Sequence, residues 1–280
     1  MEKLLLVDGH NLLFQMFYGM PSRIVGRSGQ PVQGVLGFVG ALLRMVRMVS
    51  PSHVLVLFDG EHPSPRRELD PAYKVSRPDY TDLPPEEQPF SQLPDIRRAL
   101  DALHVRWIET EDCEADDLAA AYARQLEPDM QVVIASWDSD LFQLIDDRVS
   151  VLRYRGKDTR LFTAADIRRQ FGVAPGQYAA FKALVGDPSD NIPGVTGVGP
   201  KTAARLLHQY GPLEEILRRL EEVDKNAIRQ ALRREQEQLR RSYALIRLEG
   251  GHALPLSPDA LAFTVSPVTT TQLLRRMGIL

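Results

Sequence analysis

KLLLVDG, residues 3–9, decides the fold. Four aliphatic residues in succession are too few to fill a helix face, and Asp-Gly closes them, so they read as a buried strand and a turn. HVLVLFDG at 53–60 repeats the pattern, and QVVIAS at 131–136 gives it again before the acidic WDSD of 137–140. VRWIE (105–109) and RVSVLRY (148–154) are two further strands. Between them, PVQGVLGFVGALLRMVRMV (31–49), DIRRALDALHV (95–105) and EADDLAAAYARQL (114–126) carry helical spacing, the last with Leu118, Tyr122 and Leu126 on one face. Strands alternating with helices predict an α/β fold, a mostly parallel sheet with helices on both faces.

From about Thr163 the strands give way to helices. TAADIRRQFG, GQYAAFKALVG, KTAARLLHQYG, PLEEILRRLEEV and an arginine-rich stretch to Leu248 predict a helical subdomain. Gly250 to Leu256 reads as a return strand or linker, and TTTQLLRRMGIL as a last helix. Residues 61–94 hold eight prolines and little periodicity, an excursion of a length that is usually functional or disordered. The expected division is an α/β domain over 1–180 with the excursion inside it, a helical subdomain over 181–250, and a return segment and helix over 251–280.

At 280 residues, 44% hydrophobic and 25% charged, the chain fits a soluble globular protein with a sizeable core. The N-terminal apolar run stops at once at Asp8, so it reads as neither signal peptide nor membrane span, and a cytoplasmic protein is expected. The single cysteine, Cys113, precludes an internal disulfide and agrees with a reducing compartment. A small buried side chain beside a helix start describes it better than a nucleophile does. The net charge of −3, taken as one number, weighs against a nucleic-acid partner.

The acids carry more information than the total. Asp8, Asp59, and Asp138 with Asp140 all fall just beyond predicted strands, where the crevice of an open α/β sheet binds ligands. A lone strand-end Asp is usually a turn or cap residue; three strands delivering acids to one edge is harder to explain that way. EADD (114–117) adds Glu114, Asp116 and Asp117 at a helix start, where acids are favoured by the helix dipole in any case. Helical spacing puts Glu114 and Asp117 on one face and turns Asp116 aside. Like charges this close repel unless a cation neutralises them, and an all-oxygen set selects Mg2+ or Mn2+ over zinc. Two such ions about 3.5–4 Å apart serve in-line attack on a phosphodiester.

A second acidic pair, Asp187 and Asp190 in GDPSDN (186–191), runs into IPGVTGVGPKTAARLL. There Gly194, Gly197 and Gly199 precede Lys201 at a helix start. Glycines admit close backbone approach and a helix N-terminus offers unpaired N–H groups, so a phosphate is the natural ligand. The spacing is that of neither a P-loop nor a dinucleotide fingerprint, and a hairpin gripping a nucleic-acid backbone fits better.

In order along nearly the whole chain, LLLVDGHNLLF, FDG, PRRELDPAYKVSRP, CEADD, DSDLFQL and GDPSDNIPGVTGVGPKTA resemble the 5′-nuclease family, the flap endonucleases and the 5′-3′ exonuclease domain of bacterial DNA polymerase I. The resemblance implies a PIN-like (resolvase-like) domain with a helical arch over about 61–94 and a helix-hairpin-helix (helix-3-turn-helix) element. It makes Asp8, Asp59, Glu114, Asp116 and Asp117 a first metal group and Asp138, Asp140, Asp187 and Asp190 a second. Arg66, Tyr73, Lys74 and Arg77 fall at arch positions, with Lys74 and Arg77 at the scissile phosphate. Gly194, Gly197, Gly199, Lys201 and Thr202 would hold the template backbone, with K+ at the hairpin.

The implied enzyme is a monomeric, cytoplasmic, nucleoid-associated Mg2+- or Mn2+-dependent 5′ nuclease using two or more ions. Its substrates would be DNA flaps, nicks or branched junctions, RNA-primed ends included. A PIN-type ribonuclease acting on single-stranded RNA and a non-catalytic DNA-binding module are the alternatives, the first disfavoured by the hairpin and long arch. Gln15 and Ser139 stand where the family commonly has basic residues, and Pro65 where it has phenylalanine, which bears on substrate affinity and arch shape. Setting aside nine metal-facing acids turns the net charge from −3 to +6 for the remainder, enough for a basic duplex-binding surface.

Overall fold

The structure is a computed structural model that describes residues 2–20, 24–61, 64–77, 80, 83–84 and 86–280. β1 (Lys3–Asp8), β2 (His53–Phe58), β3 (Arg106–Glu109), β4 (Gln131–Ala135), β5 (Val149–Arg153) and β6 (Arg160–Phe162) form one six-stranded sheet in the order β3-β2-β1-β4-β5-β6. All neighbours are parallel except β6, which runs antiparallel to β5. The short RLF strand was not anticipated; it ends the sheet at an edge, where three residues suffice.

The aliphatic runs form strands because both of their faces are covered. Leu4, Leu6, Leu55 and Leu57 join a core with α5 (Ala115–Gln125) and the helical subdomain. Leu5, Val7, Val54, Val56 and Phe58 join the opposite core with α1 (Gly9–Gly19), α2 (Gln33–Val49), α4 (Leu93–Ala102) and α12 (Thr270–Arg276). Each fully buried side chain contributes about 1.5–3 kcal/mol, so a polar residue on either face would be strongly disfavoured.

From β1 the chain builds outward through β2 to β3, then crosses to the other side of β1 with β4. The order therefore reverses between β1 and β4, the switch point at which such sheets open a crevice beyond their strand ends. Asp8-Gly9 is a helix start there, not the turn read from the sequence: the Asp8 carboxylate accepts the Asn11 N–H at 3.0 Å and caps α1.

The described part of the proline-rich excursion holds α3 (Pro65–Leu69), a run of turns over 71–76 and a 3-10 turn at Pro89–Gln92. Arch residues 62–63, 78–79, 81–82 and 85 lie outside the described residues. α6 (Ala164–Phe171), α7 (Tyr178–Val185), α8 (Pro200–Tyr210), α9 (Leu213–Arg218), α10 (Asn226–Arg234) and α11 (Gln236–Ile246) make the helical part. Gly250 to Leu256 is a linker rather than a strand. Side chains of α5 hold it: Gln125 Nε2 donates to the carbonyls of Gly250 and His252 at 2.8 and 2.7 Å, and Tyr122 Oη to that of Leu256 at 3.0 Å. No helix among the described residues is long and apolar enough to cross a membrane.

Candidate metal centre and nucleic-acid interface

The acids at the switch point are joined through one hydroxyl. Ser136, just past β4, donates to Asp8 Oδ2 at 2.8 Å and accepts the Asp138 N–H at 3.0 Å, and Asp138 Oδ1 accepts the Asp140 N–H at 2.8 Å. Burial, the Asp59 carboxylate and Asp138 push the Asp8 carboxyl up to about 6, against the hydrogen bonds from Asn11 and Ser136. Asp59 stands at the end of β2, where its Oδ1 accepts the Ala115 N–H at 2.7 Å and ties that strand to the start of α5. His10 Nδ1 lies 3.4 Å from the other oxygen of Asp59.

At α5 the structure departs from the helical-face expectation. Glu114 is the N-cap, with extended backbone at φ −77° and ψ 157°, so spacing rules for a continuous helix do not govern it. Asp116 does not turn aside. Arg66, only 8% exposed, places Nη1 2.8 Å from Glu114 Oε2 and 3.1 Å from Asp116 Oδ1, and Nη2 2.7 Å from Asp117 Oδ1. Burial holds the Asp116 carboxyl well above the usual range, and Asp117 and Glu114 push it further while Arg66 opposes them. Glu114 also accepts from Ser64 Oγ at 2.6 Å, from Lys74 Nζ at 2.5 Å and from Tyr73 Oη at 3.4 Å.

Asp140, Asp187 and Asp190 form the second assembly, with carboxylate oxygens all within 4.8 Å of one another. Asp190 pairs with Arg77 Nη2 at 2.7 Å. Lys182, from α7, bonds both Asp140 and Asp187, the latter at 2.5 Å. Burial works against the Lys182 charge, but these two carboxylates overcome it and raise its pKa. Sequence reasoning missed Lys182. Its signal was a cation inside the apolar run AAFKALV, five residues before Asp187, where a helix core should have excluded charge.

The turn that carries Lys74 is fastened to the same loop. Lys74 adopts φ +56°, its N–H bonds the Asp190 carbonyl at 3.0 Å, and Asn191 Nδ2 bonds the Ala72 carbonyl at 3.0 Å. A left-handed non-glycine residue costs on the order of 1–3 kcal/mol and persists where its surroundings fix it. Of the departures noted in the sequence, Gln15 donates to the Tyr154 carbonyl at 2.5 Å and Pro65 opens α3, where its missing N–H is no loss. Ser139 Oγ lies 3.5 Å from Lys182 Nζ, so a cation from α7 stands beside that position.

Between α7 and α8 the glycine-rich segment forms a hairpin. Val195 N–H bonds the Leu184 carbonyl at 2.9 Å, and Val195 and Val198 are buried as its anchors. A Cβ on Gly194 would stand 2.2 Å from the Val185 carbonyl oxygen, so the two backbones meet there only without a side chain. Gly197, Gly199 and Lys201 are exposed and Thr202 half-buried beside the α8 N-terminus, whose unpaired N–H groups favour an anion.

The donor set on both sides of the crevice is carboxylate oxygen, the chemistry of hard divalent cations. Arg66, Lys74, Arg77 and Lys182 compensate that negative charge through direct ion pairs. A crowded acidic cluster in which the Asp8, Asp116, Asp117 and Asp140 carboxyls are raised, chiefly by burial, fits divalent ions well.

The family model described as 5′-3′ exonuclease, N-terminal resolvase-like domain, matches residues 3–172, and that described as 5′-3′ exonuclease, C-terminal SAM fold, matches 173–269. Thermostable DNA polymerase I of Thermus thermophilus is 39% identical over 258 residues, 92% of this chain and 30% of the relative. DNA polymerase I of Bacillus subtilis is 34% identical over 265 residues, 94% and 29%. The chain thus spans about 30% of the length of the polymerases it matches. Among solved structures, T5 5′-exonuclease bound to divalent metal ions (zinc) superposes with a TM-score of 0.72 at 27% identity, covering 88% of this chain and 90% of that one. The catalytic core of Rad2 with DNA substrate, at 17% identity and a TM-score of 0.57 over 92% and 81% of the two chains, shares the fold.

Proposed function

The chain belongs to the 5′-3′ exonuclease family, and on that premise we propose that it is a divalent-metal-dependent, structure-specific 5′ nuclease hydrolysing DNA phosphodiesters at flaps, nicks and branched junctions, RNA-primed ends included. One observation carries the proposal: arch cations Lys74 and Arg77 are already bonded to acids of the two groups, Glu114 and Asp190, so phosphate-binding charge and metal-binding charge share one crevice.

Asp8, Asp59, Glu114, Asp116 and Asp117 would hold one Mg2+ or Mn2+, and Asp138, Asp140, Asp187 and Asp190 another. Bound there, such ions supply a water of lowered pKa and stabilise charge on the leaving oxygen. Lys74 and Arg77 place positive charge where it develops on the phosphate in the transition state. Arg66 and Tyr73 position the arch against α5. Gly194, Gly197, Gly199, Lys201 and Thr202 hold the duplex backbone without reading bases, with K+ among the hairpin carbonyls. A monomer in the cytoplasm, at the nucleoid, suits this work.

The test is cleavage of labelled 5′-flap, nicked and single-stranded DNA and of single-stranded RNA, with Mg2+ or with EDTA. Asp116→Asn and Asp138→Asn should lose cleavage by more than the roughly 10–100-fold typical of an outer-shell partner and keep flap binding. Undiminished cleavage by both variants, or preference for single-stranded RNA, would overturn the proposal.

A further inference from the structure

Beside the nuclease crevice lies a cluster of different chemistry. The ligand atoms of Asp112, Cys113 and His252 all stand within 4.8 Å of one another. They come from two segments distant in sequence, the bend just before α5 and the linker after α11, and offer oxygen, sulfur and nitrogen. We propose that Asp112, Cys113 and His252 form an accessory site for a borderline-soft divalent ion, Zn2+ by chemical class, which clips the return linker to the helix that carries Glu114, Asp116 and Asp117.

Three features support the site. The linker backbone is held rigidly: Arg124 Nη1 donates to the Glu249 carbonyl at 2.5 Å, in addition to the Gln125 and Tyr122 bonds. Gly250, at φ +67°, lies so close to α5 that a Cβ there would sit 2.8 Å from the Ala120 carbonyl oxygen. His252 is thereby set opposite Cys113 by contacts independent of any ion, the preorganisation a metal site needs.

Charge is the second feature. Burial pushes the Cys113 thiol up to about 12 and the Asp117 and Asp112 carboxylates add to it; the same carboxylates attract the cation that would displace the thiol proton. Exposure is the third: Cys113 is buried, His252 half-buried and Asp112 exposed, so one face opens to solvent for entry and for a water as fourth ligand. Binding would form a metal–thiolate bond and release the thiol proton to solvent. Thiolate and imidazole select zinc-class ions, whereas the all-carboxylate crevice selects Mg2+, so the two centres differ in metal preference.

The experiment is equilibrium dialysis of the full chain against Zn2+ in excess Mg2+, together with Co2+ titration followed by near-ultraviolet absorption, where a cobalt–thiolate band reports the cysteine alone. One equivalent of Zn2+ retained against Mg2+ and a thiolate band are expected. Cys113→Ser should abolish the band, His252→Ala should weaken binding on the order of tenfold or more, and Asp116→Asn should leave the band intact. Circular dichroism of each variant separates loss of the site from loss of the fold. A missing thiolate band in the folded wild-type chain, or unchanged affinity in His252→Ala, would overturn the site.

Discussion

Replacing Lys182 by Met keeps the length of the side chain and removes a charge that bonds both Asp140 and Asp187. The three side chains are 10%, 8% and 13% exposed, so the carboxylates left behind are poorly hydrated, with Asp190 close by. Removing one partner of such a buried pair destabilises by about 3–5 kcal/mol. For a chain of this size each kcal/mol moves Tm by about 2–4 °C, so the metal-free variant should melt roughly 10 °C lower at a pH where the carboxylates are ionised. A divalent ion neutralises the same oxygens, so with saturating Mg2+ the loss should shrink to within about 1 kcal/mol. Thermal unfolding of wild type and Lys182→Met, each in EDTA and in Mg2+, measures this. An equal loss in both conditions would mean that Lys182 is an ordinary structural ion pair, and the reasoning would fail.

Mg2+ affinity should rise with pH through about 6, because the Asp8 proton must leave before the carboxylate can bind; calorimetric titration showing pH-independent affinity would refute this. The same raised pKa stabilises the metal-free fold below about pH 4, and that contribution, about 3 kcal/mol, is lost as pH rises through about 6, measurable by denaturant unfolding in EDTA. Lys74→Ala and Arg77→Ala should each lower kcat by about 10²–10³ with flap binding largely kept; an effect confined to KM would assign them to ground-state binding instead. Gly194→Ala should destabilise by about 1–3 kcal/mol, because its Cβ meets backbone that cannot yield, and should weaken duplex binding irrespective of sequence; unchanged unfolding would show that the hairpin is loosely seated.

The sheet was legible because its strands are buried on both faces and therefore read as uninterrupted aliphatic runs, and because acids sit at fixed positions after them. The two-helix hairpin was legible from its glycines. Lys182 was not, since pairing between a helix cation and carboxylates 42 and 5 positions away in sequence is a tertiary fact. Asp116 was misdirected by a helical rule applied across an N-cap, where the backbone is extended. β6 is too short to show periodicity, and Gly250–Leu256, read as a return strand or linker, is a linker because its hydrogen bonds come from α5 side chains. For the linker the deciding partner lies far back along the chain.

The turn that presents Lys74 is bonded to the Asp187–Asn191 loop through Lys74 N–H and Asn191 Nδ2. It cannot swing alone without breaking both bonds, each worth about 1 kcal/mol; otherwise it carries the loop along. Displacing the turn that carries Lys74 therefore displaces the loop that carries Asp187 and Asp190 with it, so the two sides of the crevice move as one mechanical piece.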